Sequence, residues 1–493
     1  MASRALRGVG WFAWSVLRVA WIGAMVVTPL FGFWLASSLA AYDNASQWLA
    51  LLVGLALFPL VPVGWDLVFV WRRSRKPVGK PILTRLDRLV LRTLIVNGLF
   101  LGGMLWFAPQ TAFRAIAVRG DWMLDGYEGG LADDIRAAIL GFADHFERRW
   151  HKRDDSFGTS DTVPAPVVTD DKTAPVVPPP AAGWPLPAEP DPAVSAMPES
   201  DQVSIDAVGR YLATQVADKK LRVKAIHDYV VLRLHYDDVA LAKILAKDYA
   251  NTPSQEAEAV FAARTGVCAG YAKLVSALGK AAGLEISYVT GYIRDTRRRT
   301  TDTGSDDAIK AALEGYSHAW NVAHVDDAWL LLDATWDDPS EADAPIRSDY
   351  LFTPPELFVR DHLPAEPGWQ LLARSLSPGE FARQPFLTPG AAALGLVLES
   401  PTRSQVTVSG DVTIVMDNPR HASISATFRP DGAADAKGNG ERCTVTEGMR
   451  TEIACHLGSG QFEIRLFAAP AEVVKTGRAY RLGYVGSILA NSH

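Results

Sequence analysis

A cysteine in a turn rich in small residues is the first feature of this sequence that suggests chemistry. Cys268 lies in the sequence RTGVCAGYAK, and an apolar stripe predicts a helix that starts at or just after it, formed by Tyr271, Val275 and Leu278. A thiol at a helix N-terminus meets the positive end of the helix dipole, which favours the thiolate that attacks carbonyl carbons. The alternative for a cysteine taken alone is a buried, inert thiol.

A histidine and an aspartate further along the chain fall in the sequence YSHAWNVAHVDDAWLLLDATW, which predicts two strands joined by a tight turn at Asp326-Asp327. With a two-residue turn, Asp333 falls opposite Trp320, and His318 lies two residues from Trp320 on the same sheet face. Diagonal neighbours of this kind have backbones about 7–8 Å apart, within side-chain reach. The register therefore predicts a carboxylate that orients an imidazole, and this imidazole can deprotonate a thiol.

The elements that position these residues are predicted from hydrophobic periodicity. Helical patterns at 205–216 and 221–234 precede the cysteine. From about residue 394 the period changes to two, at 406–408, 412–415, 424–428 and 462–467, with Gly, Asp and Pro between the strands. Short strands with regular turns predict a β-sandwich. Cys443 and Cys455 flank a predicted hairpin and either form a disulfide, which we favour, or remain buried thiols.

The first 110 residues contain three apolar runs, at about 19–42, 48–70 and 89–108, each long enough to cross about 30 Å of hydrocarbon. A signal peptide is the alternative for the first run, although its length favours a retained anchor. Cations cluster between the second and third runs, which predicts that this loop and the N-terminus are cytoplasmic. Three crossings then deliver the rest of the chain to the periplasmic side of a bacterial inner membrane. The cations are Arg72, Arg73, Arg75, Lys76, Lys80, Arg85 and Arg88.

Polar residues in or near these runs allow two readings, a transport path or simple anchoring with helix packing, and we favour anchoring because most lie near run ends. They are Arg18, Asp66, Arg92 and Asn97.

Together the patterns predict five segments: a membrane anchor at 1–110, an amphipathic juxtamembrane helix within 111–150, a proline-rich linker at 151–200, a catalytic α+β domain at 201–385 and a β-sandwich at 386–493. The juxtamembrane helix lies on the membrane or pairs with another helix.

Composition excludes several classes of function. The 493 residues carry a net charge of −6 and no basic stripe, which argues against nucleic-acid binding. Only three cysteines occur, without a CxxC pair, and no calcium loop of EF-hand form surrounds Asp337 and Asp338. We therefore expect neither a metal nor a cofactor. The basic insert with Arg297, Arg298 and Arg299 gates the cleft, recognises an acidic substrate or is a solvated loop, and the sequence leaves these alternatives open.

The motifs GVCxGYA, HAWN and LLDxTWDD together resemble the transglutaminase-like superfamily, whose core is a papain-like fold with a cysteine nucleophile. The later sequences YLFTPPELF and HLPAEPGWQLL resemble the branch that includes kyphoscoliosis peptidase and cytokinesis-associated relatives. This resemblance covers about residues 200–375 and implies that Cys268 is the nucleophile, His318 the general base and acid, and Asp333 the group that orients the imidazole. It implies an acyl-thioester intermediate resolved by water or by an amine.

The resemblance also implies an oxyanion hole, of which the backbone N–H of Cys268 is the first expected donor. Papain-like proteases place a Gln where Ala262 stands, and transglutaminases use an upstream Trp that is missing here, so Tyr236 is the substitute we expect. Trp320 and Trp336 pack the core or wall the cleft.

The sequence thus predicts a membrane-anchored extracytoplasmic enzyme that acts on peptide or protein amides. The alternative is an idle transglutaminase-like scaffold that binds envelope or division proteins, and transport through the spans ranks last. The expected partners are the lipid bilayer, a peptide or protein substrate and a cell-envelope protein.

Overall fold

The computed structural model describes residues 21, 23, 25–43, 45–75, 83–125, 127, 130–150, 183–246, 248–294, 317–339, 346–431, 440–471 and 482–493. The chain divides into two compact units, Met1–Lys152 and Arg153–His493. Each unit has its own elements and core.

The first unit is helical. Three of its described helices are long and apolar enough to cross a membrane: α1 Met25–Tyr42, α2 Gln47–Ser74 and α3 Arg85–Phe107. Helix α2 has a kinked turn at Ala56–Leu60, where Pro59 interrupts the helical hydrogen bonds. Helices α4 Pro109–Arg119 and α5 Gly130–Trp150 follow. The prediction of three apolar helices, each long enough to cross a membrane, is therefore confirmed.

The predicted juxtamembrane helix corresponds to α5, which pairs with α4 rather than standing alone. Ala143 of α5 joins Leu35, Ala112 and Ile116 in one buried cluster. Between α2 and α3, Asp66 accepts hydrogen bonds from Arg88 at 3.1 Å and from Arg92. These polar groups therefore bind one another within the helices, which agrees with the packing role that we favoured.

The second unit begins with helical elements that surround the predicted nucleophile. These are α6 Pro192–Ser195, α7 Ile205–Gln215, α8 Lys219–Arg233, α9 Asp238–Leu245, α10 Ala257–Ala263 and α11 Cys268–Ala281. Short strands β1 His235–Tyr236 and β2 Thr265–Gly266 pair in parallel directly before α11. The helix that the sequence predicts at Cys268 is confirmed, and it ends before Gly283, whose φ of 72° suits only glycine well.

An antiparallel sheet packs against α11. Its strands are β3 Glu285–Ile293, β4 Ser317–Val325, β5 Ala328–Leu332 and β6 His362–Pro364, in the order β5-β4-β3-β6. Val325 faces Ala328, and Asp326 and Asp327 have φ values of 48° and 65°, as a two-residue hairpin turn requires. The predicted hairpin register is confirmed. Short helices α12 Ala334–Asp337 and α13 Pro355–Phe358 lie between β5 and β6.

The C-terminal part is built from two sheets around one core. Helices α14 Pro378–Arg383 and α15 Pro389–Ala393 lead into it. One sheet has the order β13-β14-β10-β8, and the other has β12-β11-β15-β16-β7 with β9 also on β16. The strands are β7 Phe386–Leu387, β8 Val397–Ser400, β9 Gln405–Val408, β10 Asp411–Asp417, β11 Ser423–Pro430, β12 Glu441–Arg442, β13 Thr444–Thr446, β14 Arg450–His456, β15 Gly460–Ala469 and β16 Gly483–Ser492.

Alternating side chains of both sheets fill this core, among them Ile414, Ile453 and Ile464. Cys443 and Cys455 form a disulfide. The predicted all-β C-terminal part and the predicted disulfide are therefore confirmed.

The described end of the segment that the sequence assigns to a linker belongs to the second unit and packs into its core. Val194 and Met197 are buried in the same core as α7, α8 and α11. The Lys224 ammonium donates to the Glu189 carbonyl at 2.8 Å, and the Asp191 N–H donates to the Asp228 carboxylate at 2.9 Å. Proline content predicts an extended chain but not what that chain packs against, so these contacts were not foreseen.

Candidate active site

Cys268 is the first residue of α11, and its neighbours explain why the helix begins there. Val267, at the N-cap, has no capping side chain, but its N–H donates to Oε1 of Gln255 at 2.9 Å. A Cβ on Gly270 would lie 2.6 Å from that same oxygen, so this close approach requires glycine. Gln255 therefore fixes the first turn of α11 and, with it, the position of the thiol.

The thiol is enclosed. Cys268 is 1% exposed and packs in a cluster with Ala240, Tyr288 and Ala319, which come from α9, β3 and β4. The first N–H groups of a helix have no intrahelical acceptor, so the backbone at Cys268 presents positive polarity to the site. This is the helix N-terminal setting that the sequence predicts.

His318 lies on β4 between the thiol and a carboxylate. Its Nε2–H donates to Oδ2 of Asp333 at 2.7 Å, and its ring also makes a hydrogen bond with Cys268. Because Nε2 is engaged by Asp333, Nδ1 is the nitrogen left for the thiol. Burial alone would lower the pKa of His318, but attraction to Asp333 and Cys268 outweighs it and raises the pKa to about 10. The imidazole is therefore held as a cation at neutral pH.

Asp333 stands one residue beyond β5, where it is the N-cap of α12. Its Oδ1 accepts the N–H groups of Thr335 at 2.9 Å and Trp336 at 3.4 Å, and this fixes the carboxylate plane. Burial would raise the pKa of Asp333, but His318 and His362 outweigh burial and hold that pKa well below its usual range. Asp333 is therefore an anion with a fixed orientation.

A second histidine, to which the sequence analysis gave no role, shares this carboxylate. Strand β6 pairs with β3 so that His362 faces Ile293, which brings its Nε2 within 3.1 Å of Oδ2 of Asp333. Its Nδ1 lies 2.6 Å from Oδ1 of Asp361, and the Tyr350 hydroxyl donates to Oδ2 of Asp361 at 2.5 Å. The sequence signals were an Asp-His pair and the motif HLPAEPGWQLL that His362 begins, and neither pattern predicts the contact with Asp333.

The two tryptophans named from the sequence are both buried. The ring of Trp320 lies 6.1 Å from that of His318, and the ring of Trp336 lies 5.7 Å from it. Of the two roles offered by the sequence, burial favours core packing around the imidazole for both. They keep His318 and Asp333 out of water, which strengthens the interaction between them.

Tyr236 lies near the nucleophile. Strand β1 sets Tyr236 opposite Gly266, two residues before Cys268, and its half-buried side chain packs against the cluster around the thiol. Its ring lies 6.2 Å from that of Tyr271. The structure thus brings Tyr236 to the neighbourhood in which an oxyanion donor would act, while that role stays a prediction.

His324, the second histidine of β4, has structural partners of its own. His324 is stacked on Trp329 and lies 3.2 Å from Glu285, outside the buried chain of Cys268, His318 and Asp333. Arg297, Arg298 and Arg299 lie outside the described residues.

Asp337 and Asp338, around which the sequence shows no calcium loop, are both buried and hydrogen-bonded. Asp337 binds His227 at 3.1 Å and accepts the Tyr350 N–H, and Asp338 accepts the Tyr271 hydroxyl at 2.5 Å. Their oxygens hold side chains and backbone together around α12.

Ligand atoms of His318, Asp333 and His362 lie within 4.8 Å of one another, a set that a divalent cation could use. In the structure these atoms instead hydrogen-bond, with Oδ2 of Asp333 between the two imidazoles. The buried polar atoms therefore have partners without an ion, and the expectation of no metal stays a prediction.

Comparison with known proteins identifies the fold around this site. Residues 206–334 match the family model of the transglutaminase-like superfamily. Kyphoscoliosis peptidase of Homo sapiens is 26% identical over 204 residues, which cover 40% of this chain and 29% of that protein. Kyphoscoliosis peptidase of Mus musculus is 28% identical over 158 residues, which cover 31% of this chain and 23% of that protein. The resemblance predicted from the three motifs is therefore confirmed.

A solved structure described as "Crystal structure of a TGase" is 21% identical, with a TM-score of 0.20 over 27% of this chain and 31% of that chain. The chain spans less than a third of the length of the curated relatives it matches. Cys268, His318 and Asp333 fall within the matched segment, whereas His362 lies beyond it.

Proposed function

On the premise that residues 206–334 are a transglutaminase-like domain, we propose that this protein is a membrane-anchored cysteine enzyme that transfers acyl groups from peptide or protein amides to water or an amine. The observation that carries the proposal is that Cys268, His318 and Asp333 are buried and hydrogen-bonded in series, with Cys268 at a helix N-terminus. A nucleophile, a base and an orienting carboxylate are the three groups that acyl transfer needs.

The proposed reaction has two halves. The Cys268 thiolate attacks the carboxamide carbon, a C–S bond forms, and the carbonyl electron pair moves to oxygen, facing the helix N-terminus. The oxyanion then collapses, the C–N bond breaks, and His318 gives its proton to the departing nitrogen. Water or an amine next attacks the thioester, His318 takes the proton of that nucleophile, and the C–S bond breaks to restore the thiolate.

The proposed location is the periplasmic side of a bacterial inner membrane. The supporting observations are the three helices able to span a membrane, the cations between α2 and α3, and the disulfide in the C-terminal part. Disulfides persist in oxidising compartments, and positive loops stay in the cytoplasm. The bilayer, a protein substrate and an envelope protein are the partners that follow from this location.

The test is the pH dependence of Cys268 alkylation in the full chain in detergent micelles. Cys268 is the one free thiol because Cys443 and Cys455 are joined, so mass spectrometry reads a single site. We expect Cys268 to react rapidly with iodoacetamide at pH 6, and His318→Ala to lose this low-pH reactivity. His324→Ala is the matched control, because His324 lies on the same strand outside the site. An ordinary thiol profile, unchanged in His318→Ala, would reject the enzyme.

A scaffold is the second candidate, and the burial of Cys268 at 1% exposure is the observation that favours it. A thiol that substrates cannot reach would leave a module that only binds other proteins. Alkylation separates the two candidates, because an idle buried thiol reacts slowly at every pH whether or not His318 is present.

A further inference from the structure

His362 has a carboxylate at each ring nitrogen. Nε2 lies 3.1 Å from Oδ2 of Asp333, and Nδ1 lies 2.6 Å from Oδ1 of Asp361. A neutral imidazole carries one N–H, so it can donate to only one of two ionised carboxylates. Either His362 is a cation, or one of the two carboxyl groups holds a proton.

The relative basicity of the groups decides between these states. Oδ1 of Asp333 accepts backbone N–H groups from α12, and Oδ2 of Asp361 accepts the Tyr350 hydroxyl at 2.5 Å, so the other oxygen of each carboxylate faces the ring. An imidazole is ordinarily a stronger base than a carboxylate, and it binds the shared proton in preference to either one. The proton resides on the ring, and His362 is a buried cation between two anions.

This cation lies in an apolar setting close to the catalytic imidazole. The ring centroids of His362 and His318 are 5.6 Å apart. The rings of Trp336 and Phe358 flank His362 at 4.5 Å and 4.2 Å, so little water screens the two charges.

Five charged or titratable groups, from four places in the fold, face this pair. They are Asp333 after β5, Cys268 on α11, Tyr350 before α13, and Asp361 before β6 with Arg360 attracted to it.

We propose that His362 is a positively charged positioning residue that divides the negative charge of Asp333 between two imidazoles and thereby limits how tightly His318 holds its proton. This inference rests on the proposed function, which it deepens. Acyl transfer requires His318 to give its proton to a leaving group and later to accept one. A buried imidazole with an undivided carboxylate beside it would hold its proton more tightly and release it more slowly.

Two variants remove the charge in different ways. His362→Gln retains an N–H donor for Asp333 but carries no charge, whereas Asp361→Asn retains the His362 ring and removes the anion that stabilises its cation. In His362→Gln we expect the titration midpoint of His318 to rise by about one pH unit, because a nearby cation is lost. In Asp361→Asn we expect a smaller rise, because the lost anion of Asp361 partly offsets the lost cation. His324→Gln is the matched control and is expected to leave that midpoint unchanged.

The midpoint is measured by nitrogen NMR of the full chain in micelles, labelled at histidine, in a Cys268→Ala background. That background removes the pull of the thiolate on His318, so the result does not depend on whether Cys268 is reactive. We expect His362 to show two protonated ring nitrogens at neutral pH, assigned from the resonances lost in His362→Gln. A neutral His362 ring, or a His318 midpoint that stays or falls in both variants, would overturn the inference.

The two proposals fail in different experiments. An ordinary alkylation profile of Cys268 rejects the enzyme, while the NMR titration still decides the charge of His362. A purely structural role for His362 would lower the thermal midpoint of His362→Gln without moving the His318 titration.

Discussion

The two carboxylate oxygens of Asp333 bind different groups. Oδ1 accepts the N–H groups that begin α12, and Oδ2 accepts the imidazole N–H groups. Capping fixes the carboxylate plane, so the oxygen left over points at His318 without relying on the His318 bond itself. An aspartate at a strand end that also starts a helix is thus a rigid support for a catalytic imidazole.

Tyr236 is the residue for which we make the sharpest prediction. As the side-chain donor to the oxyanion, its hydroxyl would act only when negative charge develops on the carbonyl oxygen. We expect Tyr236→Phe to slow hydrolysis of p-nitrophenyl acetate by about 10²-fold, and to leave Cys268 alkylation, which forms no oxyanion, unchanged. Tyr249→Phe, at an exposed tyrosine, is the control. Equal hydrolysis rates in the Tyr236 variant and the wild type would remove Tyr236 from the mechanism.

At the scale of elements, α11 begins at a valine that cannot cap it. The cap comes from Gln255, whose Oε1 accepts the buried Val267 N–H. Gln255→Met has a similar shape but no acceptor, so we expect a loss of about 1–2 kcal/mol in the free energy of unfolding. Urea unfolding measures it, with the exposed Gln215→Met as the control, expected within about 0.5 kcal/mol of wild type. Equal free energies of unfolding for Gln255→Met and Gln215→Met would show that the Gln255 hydrogen bond does not stabilise the protein.

Helix α8 is tied to α12 through a buried histidine between two carboxylates. His227 lies 3.2 Å from Asp228 and 3.1 Å from Asp337. Burial would lower the pKa of His227, but hydrogen bonds to Asp228 and Asp337 outweigh burial and raise the pKa from 6.5 to about 9. This charge therefore stabilises the fold fully below about pH 6.5, and the stabilisation is lost as pH rises through about 9.

The shift corresponds to about 3 kcal/mol at 1.36 kcal/mol per pKa unit. We expect the difference in free energy of unfolding between wild type and His227→Gln to shrink by about that amount between pH 6 and pH 10. Urea titrations at four pH values measure the free energy of unfolding of both proteins. Groups that titrate in the same way in both proteins do not contribute to the difference. A difference that does not vary with pH would show that His227 is neutral in the folded protein.

At the scale of the whole molecule, three helices able to cross a membrane precede a unit that carries both the candidate site and a disulfide. Cations between α2 and α3 favour a cytoplasmic position for that loop. We expect bacterial alkaline phosphatase, which is active only after export, to be active when fused after residue 200 and inactive when fused after residue 80. Fluorescent-protein fusions at the same positions are the control and should show the reverse. Phosphatase activity at residue 80 alone would invert the proposed orientation.

Local sequence patterns predicted the hairpin, the start of α11 and the three apolar helices. Turn residues and alternation placed the hairpin at Asp326-Asp327, and its register carried His318 and Asp333 to one face. Helical periodicity began α11 at Cys268, and apolar length marked the spans. These features are local because a turn, a strand period and a helix stripe depend on residues near in sequence.

Only the tertiary structure decided which residues from distant parts of the chain contact the residues around Cys268, His318 and Asp333. His362 reaches Asp333 because β6 pairs with β3, and Gln255 caps α11 from a separate loop. Val194 and Met197 join the core although the prolines around them predict a linker. Such contacts depend on which non-local pairings bury the most apolar surface and satisfy the most polar groups, and no local pattern encodes that sum.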